Sequence, residues 1–72
     1  MPTSAIIKTI ESLGYHVSVH HMGDYVEMHA VWCKDPASMV HIARSGDGDD
    51  EEQTYRTACA LAEMVGIDLE DG

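Results

Sequence analysis

A two-residue Gly-Asp turn between two strand-like runs constrains the fold of this chain more than any other feature. Gly23-Asp24 separates residues 15–22 from residues 25–33, and both runs are rich in β-branched and aromatic residues. A two-residue loop with glycine in its first position is typical of a type I′ or II′ hairpin. If the loop contains only these two residues, Tyr15 lies opposite Trp32. The sequence therefore predicts an antiparallel hairpin in this register.

Side chains alternate between the two faces of a strand, so the predicted register sorts the hairpin into two faces. The face predicted to be the core carries Tyr15, Val17, Val19, His21, Val26, Met28, Ala30 and Trp32. The opposite face, which we call the open face, carries His16, Ser18, His20, Met22, Tyr25, Glu27, His29 and Val31. A slip of one residue would place most of the histidines in the core, so burial favours this register.

A third strand is predicted over residues 38–44, after a turn that contains Pro36. Its apolar alternation predicts that Val40 and Ile42 join the core. The residues then assigned to the open face are Met39, His41 and Ala43. The three predicted strands together form an antiparallel meander.

A helix is predicted on each side of the meander. Residues 4–13 carry apolar side chains at helical spacing, and Gly14 suits the left-handed position that ends a helix. Residues 50–65 form a second amphipathic pattern, which Gly66 and Ile67 end in a Schellman-type stop. The predicted buried stripe of this helix consists of Tyr55, Ala58, Cys59, Leu61, Ala62 and Val65. The predicted fold class is α+β, with a three-stranded antiparallel β-meander and two helices packed on one face of it.

The length and charge of the chain limit its partners. Its 72 residues predict a single small domain, near the lower size limit for a core without disulfides or metals. The formal charge is −9, and most of the acidic residues lie in residues 47–72, including a short tail at 68–72. Such a charge argues against nucleic acid or membrane partners, because Lys and Arg supply the affinity for phosphates and anionic lipids. It suits a basic protein partner, or serves solubility alone.

The densest cluster of carboxylates is the acidic patch, which consists of Asp47, Asp49, Asp50, Glu51 and Glu52. Asp49 and Glu52 have the spacing of a capping box, and carboxylates in a first helical turn complement the helix dipole. The cluster lacks the residue order of a calcium loop. An alternative function is nevertheless an acidic inhibitor or nucleic-acid mimic, which would present these carboxylates and those of residues 68–71 to a basic groove.

Templates for catalysis are missing from the sequence. It contains no nucleophile elbow, no Gly-rich phosphate loop and no H-E-x-x-H, so we predict neither an enzyme nor a cofactor. Cys33 and Cys59 lack the spacing of a zinc or redox motif, and we expect two reduced thiols in a cytoplasmic protein. No apolar run has the length of a membrane span.

The histidine-rich open face is the predicted interaction surface. Its candidate residues are His16, His20, Met22, Tyr25, Glu27, His29, Val31 and His41. The first hypothesis is a protein-interaction module that binds a protein partner or a second copy of itself as a homodimer. Such an interface would weaken as its histidines gain charge between about pH 7 and 5. A second alternative is a metal site formed by His20, Glu27 and His29, because imidazole and carboxylate are ligands for Zn, Ni and Cu.

The predicted α-β-β-β-α order resembles the double-stranded-RNA-binding-domain-like fold, in which both helices pack on one face of a three-stranded antiparallel sheet. The resemblance covers nearly the whole chain and concerns the order of elements, without a family motif. RNA-binding members of that family contact phosphates through lysines at the start of the last helix. This chain has Asp49, Asp50, Glu51 and Glu52 there. The resemblance therefore implies the fold and not RNA binding.

Overall fold

The computed structural model describes residues 2–35 and 40–69 and contains the predicted order of elements. These elements are α1 (Thr3–Ser12), β1 (Tyr15–His21), β2 (Val26–Trp32), β3 (Val40–Ser45) and α2 (Asp50–Met64). The strands form one antiparallel sheet in the order β1-β2-β3. α1 packs on β1 and on α2, while α2 packs on β2 and β3. The predicted α+β class and the α-β-β-β-α order are confirmed. Neither helix, as far as the described residues extend, is long and apolar enough to cross a bilayer.

The hairpin between β1 and β2 has the predicted register. The Met22 N–H donates a hydrogen bond to the Tyr25 carbonyl oxygen at 2.9 Å, so the loop contains only Gly23 and Asp24. Gly23 has a φ of +91°, whereas Asp24 does not adopt a positive φ. A type I′ turn needs positive φ at both central residues, so of the two predicted turn types these φ values fit type II′.

The predicted alternation of β3 was wrong. Ala43 lies opposite Met28 on the core face and is 2% exposed, whereas Val40 and Ile42 are 49% and 48% exposed. The face of each β3 residue is set by its partner on β2, and this pairing overrides the greater hydrophobicity of Val and Ile. Met39, the remaining residue assigned to the open face of this strand, lies outside the described residues.

His41 consequently does not belong to the open face. It lies opposite Ala30, which is fully buried beneath the helices. Its ring packs edge-to-face against Tyr15, with the ring centroids 5.7 Å apart. The prediction that His41 joins the other histidines on the interaction surface is therefore wrong.

The core lies between the sheet and the two helices. Its fully buried apolar side chains include Ile6, Ile10, Val26, Met28, Ala30, Ala58, Leu61 and Ala62. The predicted stripe of α2 is partly wrong, because Tyr55 is 42% exposed while Thr57 and Gln53 are buried. The Thr57 hydroxyl donates to the Gln53 carbonyl oxygen at 2.6 Å, and the Gln53 amide donates to three carbonyl oxygens in the turns around it. These buried polar groups are therefore satisfied, as burial requires.

The helix ends follow the predicted chemistry. The Asp49 carboxylate caps α2 by accepting a hydrogen bond from the Glu52 N–H at 2.8 Å. Gly14 and Gly66 have φ values of +106° and +90°, which are the left-handed conformations predicted after α1 and α2. Beyond Gly66, the Ile67 N–H donates at 2.9 Å to a carbonyl oxygen in the last turn of α2, which completes the Schellman motif.

Candidate functional site

The face of the sheet opposite the helices carries three rows of side chains that each cross all three strands. The rows are His16, Val31 and Val40; Ser18, His29 and Ile42; and His20, Glu27 and Arg44. Met22 and Tyr25 lie beside the third row at the hairpin turn. The open face therefore brings together every predicted interaction residue except His41.

Sequence reasoning missed three residues of the open face, namely Val40, Ile42 and Arg44. The sequence did contain a signal for them. Val40, Ile42 and Arg44 are spaced two residues apart and therefore lie on the same face of the strand. Burying the two aliphatic side chains would also have buried the Arg44 guanidinium group. A charged group is almost never fully buried unless it is paired.

Glu27 is the centre of a polar network on this face. One carboxylate oxygen lies 2.7 Å from Nε2 of His29, and the other accepts hydrogen bonds from Nε and an NH2 group of Arg44 at 3.1 and 2.8 Å. The Arg44 guanidinium also lies over the Tyr25 ring, 4.9 Å from its centroid, in cation–π geometry. Both carboxylate oxygens of Glu27 therefore have partners, and its side chain is only 17% exposed.

The network fixes the charge of this carboxylate. The hydrogen bond with His29, and after it the hydrogen bonds from Arg44, hold the pKa of Glu27 below its ordinary value of 4.5. In return, the Glu27 carboxylate raises the pKa of Arg44. At neutral pH the two side chains form a neutral ion pair.

His20 and His29 meet beside this pair. Their ring centroids are 4.7 Å apart, with an angle of 45° between the ring planes. His20 Nε2 also lies 3.1 Å from the hydroxyl oxygen of Ser18. Within residues 2–35 and 40–69, no three His, Cys, Asp or Glu side chains are arranged to hold a metal ion. The predicted ligands His20, Glu27 and His29 are neighbours, but they do not form such an arrangement, and the Glu27 carboxylate is bound to the Arg44 guanidinium.

Away from the hairpin turn, the β2–β3 side of the open face is apolar. Val40 and Ile42 expose about half of their surface, and Val31 lies next to Val40 on β2 and is half-buried. The face thus has an ordered polar network near the hairpin turn and an exposed aliphatic cluster away from it.

The acidic patch lies at the start of α2, in the helical layer of the molecule. Asp49 caps the helix, and Glu52 accepts a hydrogen bond from Arg56 at 2.7 Å. Asp50 lies 3.1 Å from Nδ1 of His21 at the end of β1. Much of this carboxylate cluster is therefore engaged within the molecule, as the capping interpretation expects.

Cys33 is exposed, Cys59 is half-buried, and both are free thiols.

No protein-family model matches the chain, and comparison with curated proteins and with solved structures gives no match. Function is therefore inferred from the chemistry of the open face.

Proposed function

We propose that this protein is a protein-interaction module that binds a protein partner through its open face. The observation that carries the proposal is the exposed Val40 and Ile42 on a sheet surface, next to an ion pair that is already formed. Covering aliphatic surface contributes about 25 cal/mol for each Å² removed from water. Because Glu27 and Arg44 are ordered before contact, they lose little side-chain freedom on binding. This combination of an apolar cluster and a preformed polar group suits a docking surface.

The acidic patch gives weaker support to an inhibitor or mimic of nucleic acid. Asp49, Asp50 and Glu52 already have hydrogen-bond partners within the chain, and a basic groove would compete with them. The two functions differ in their response to salt. Binding through the acidic patch would weaken sharply as salt is added, whereas binding through the aliphatic end of the open face would change little.

The free thiols of the chain support a reducing compartment such as the cytoplasm.

A site-specific photo-crosslinker tests the proposal in cells. We expect a benzoylphenylalanine in place of Ile42 to crosslink to a protein, and a Val40→Asp substitution on the same face to abolish the crosslink. The matched control carries the crosslinker in place of Glu63, an exposed residue of α2. Equal crosslinking from both positions, or a crosslink from position 42 that survives Val40→Asp, would contradict the proposal.

A further inference from the structure

We infer that the partner is a second copy of this chain, packed face to face about a two-fold axis that runs along the strands between β2 and β3. The inference rests on the proposed function, because it names the occupant of the same open face. It follows from how the residues of β2 and β3 are paired, from where the charges lie, and from the size of the face.

The pairing of β2 with β3 makes the part of the open face formed by these two strands self-complementary. The neighbouring pairs on the open face are Val31 with Val40, His29 with Ile42, and Glu27 with Arg44. A two-fold axis in the interface, parallel to the strands and between them, lays β2 of one copy over β3 of the other. It exchanges the two members of each pair, as an isologous interface requires. Val31 then covers the Val40 of the other copy, the His29 ring covers Ile42, and each Glu27 faces the Arg44 of the other copy.

The charge distribution favours this surface over the rest of the molecule. At pH 7 the charged side chains of the open face are Glu27 and Arg44, which cancel, whereas the whole chain carries −9 with its histidines neutral. A contact between two helical layers would bring two acidic patches together. Face-to-face packing instead leaves both patches on the outer surfaces of the dimer, with two sheets between them, so like-charge repulsion is small.

The size of the face sets the strength of the dimer. The axis lies between β2 and β3, so these two strands overlap and β1 extends beyond the partner; the overlap covers roughly 20 by 10 Å, or about 200 Å² in projection, at ordinary strand spacing and rise. A standard interface buries about 800 Å² on each partner, and smaller ones are weak and transient. We therefore expect a reversible dimer that forms at high protein concentration, with its sheets in the aligned packing of β-sandwiches.

A charge-swap experiment tests the pairing. In the Glu27→Arg variant both positions of the ion pair are basic, and in the Arg44→Glu variant both are acidic. Each variant alone then places like charges across the two-fold axis, and we expect its association to weaken by about tenfold or more. A one-to-one mixture places opposite charges across the axis. We expect the mixture to recover association close to that of the wild type in sedimentation equilibrium at up to about 1 mM protein.

The Glu52–Arg56 ion pair of α2 supplies the matched control. Its guanidinium contacts the carboxylate through the same Nε and NH2 atoms, at 3.1 and 2.7 Å, but the pair lies in the helical layer. Glu52→Arg and Arg56→Glu change the net charge by the same amounts as the two open-face substitutions. We expect neither control variant to change the association constant. Far-UV circular dichroism verifies that all four variants are folded.

The outcomes separate this inference from the proposed function. Recovery in the mixture supports the two-fold pairing. A wild-type dimer that Ile42→Asp dissociates, but that the mixture does not recover, overturns this orientation and leaves the open face as the interface. A monomer at all concentrations, with a crosslink from position 42 to a different protein, overturns self-pairing alone. A monomer without a crosslink that depends on the open face overturns both.

Discussion

The alternation of β3 can be tested by comparing two isoleucines that the sequence alone would treat alike. Ile10 in α1 is fully buried, whereas Ile42 in β3 is 48% exposed. Replacing a buried isoleucine by alanine costs about 2–5 kcal/mol, because burial is lost and a cavity remains. Ile42 has only about half of its surface removed from water, and full burial of such a side chain is worth about 1.5–3 kcal/mol. We therefore expect Ile10→Ala to cost about 2–5 kcal/mol and Ile42→Ala about 1 kcal/mol or less.

Ala43 provides the reciprocal test. It is 2% exposed and lies opposite the fully buried Met28. Enlarging a residue in a packed core costs about 1–3 kcal/mol, because neighbouring side chains must leave their preferred rotamers. We expect Ala43→Leu to destabilise the fold by that amount. If the first interpretation of the strand were right, Ala43 would face solvent and the substitution would be nearly neutral.

Urea unfolding followed by circular dichroism gives these free energies. The measurements require dilute protein, because dimer formation would add to the apparent stability of the wild type. The reasoning is refuted if Ile42→Ala costs as much as Ile10→Ala while Ala43→Leu leaves the midpoint unchanged. That result would mean that Val40 and Ile42 face the helices and that the aliphatic cluster of the open face does not exist.

Two further predictions concern the Glu27 network and the cap of α2. The pKa of Glu27 is lowered in the folded state, so its ionised form stabilises the fold above pH 4.5, and this contribution is lost as the pH falls through the folded pKa. Glu27→Gln should therefore melt below the wild type at pH 7, with a difference that shrinks in acid; a constant difference from pH 7 to pH 3 would contradict the network. Asp49→Ala should cost about 1 kcal/mol in urea unfolding, because the Glu52 N–H loses its acceptor, while Asp49→Asn retains most of the stability. Equal losses in both variants would argue against a cap.

Local chemistry determined much of this protein. The II′ loop at Gly23-Asp24 and the period-two pattern around it set the register of the hairpin, because both act between residues that are close in sequence. The Asp49 cap and the stop at Gly66 likewise depend on groups within one helical turn. These local features are enough to place His16, His20, Glu27 and His29 on one face of the hairpin.

Tertiary structure decided the faces of β3 and of α2. Both alternations of β3 contain apolar residues, so hydrophobicity alone does not choose between them. Arg44 is the one local signal for the observed alternation, and the pairing of Ala43 with Met28 decides it. The same applies to α2, where Thr57 is buried against β2 with its hydroxyl 3.3 Å from the Val26 carbonyl oxygen, while the larger Tyr55 lies outside. Burial depends on the space between two packed elements and on partners for polar groups, and residues distant in sequence supply both.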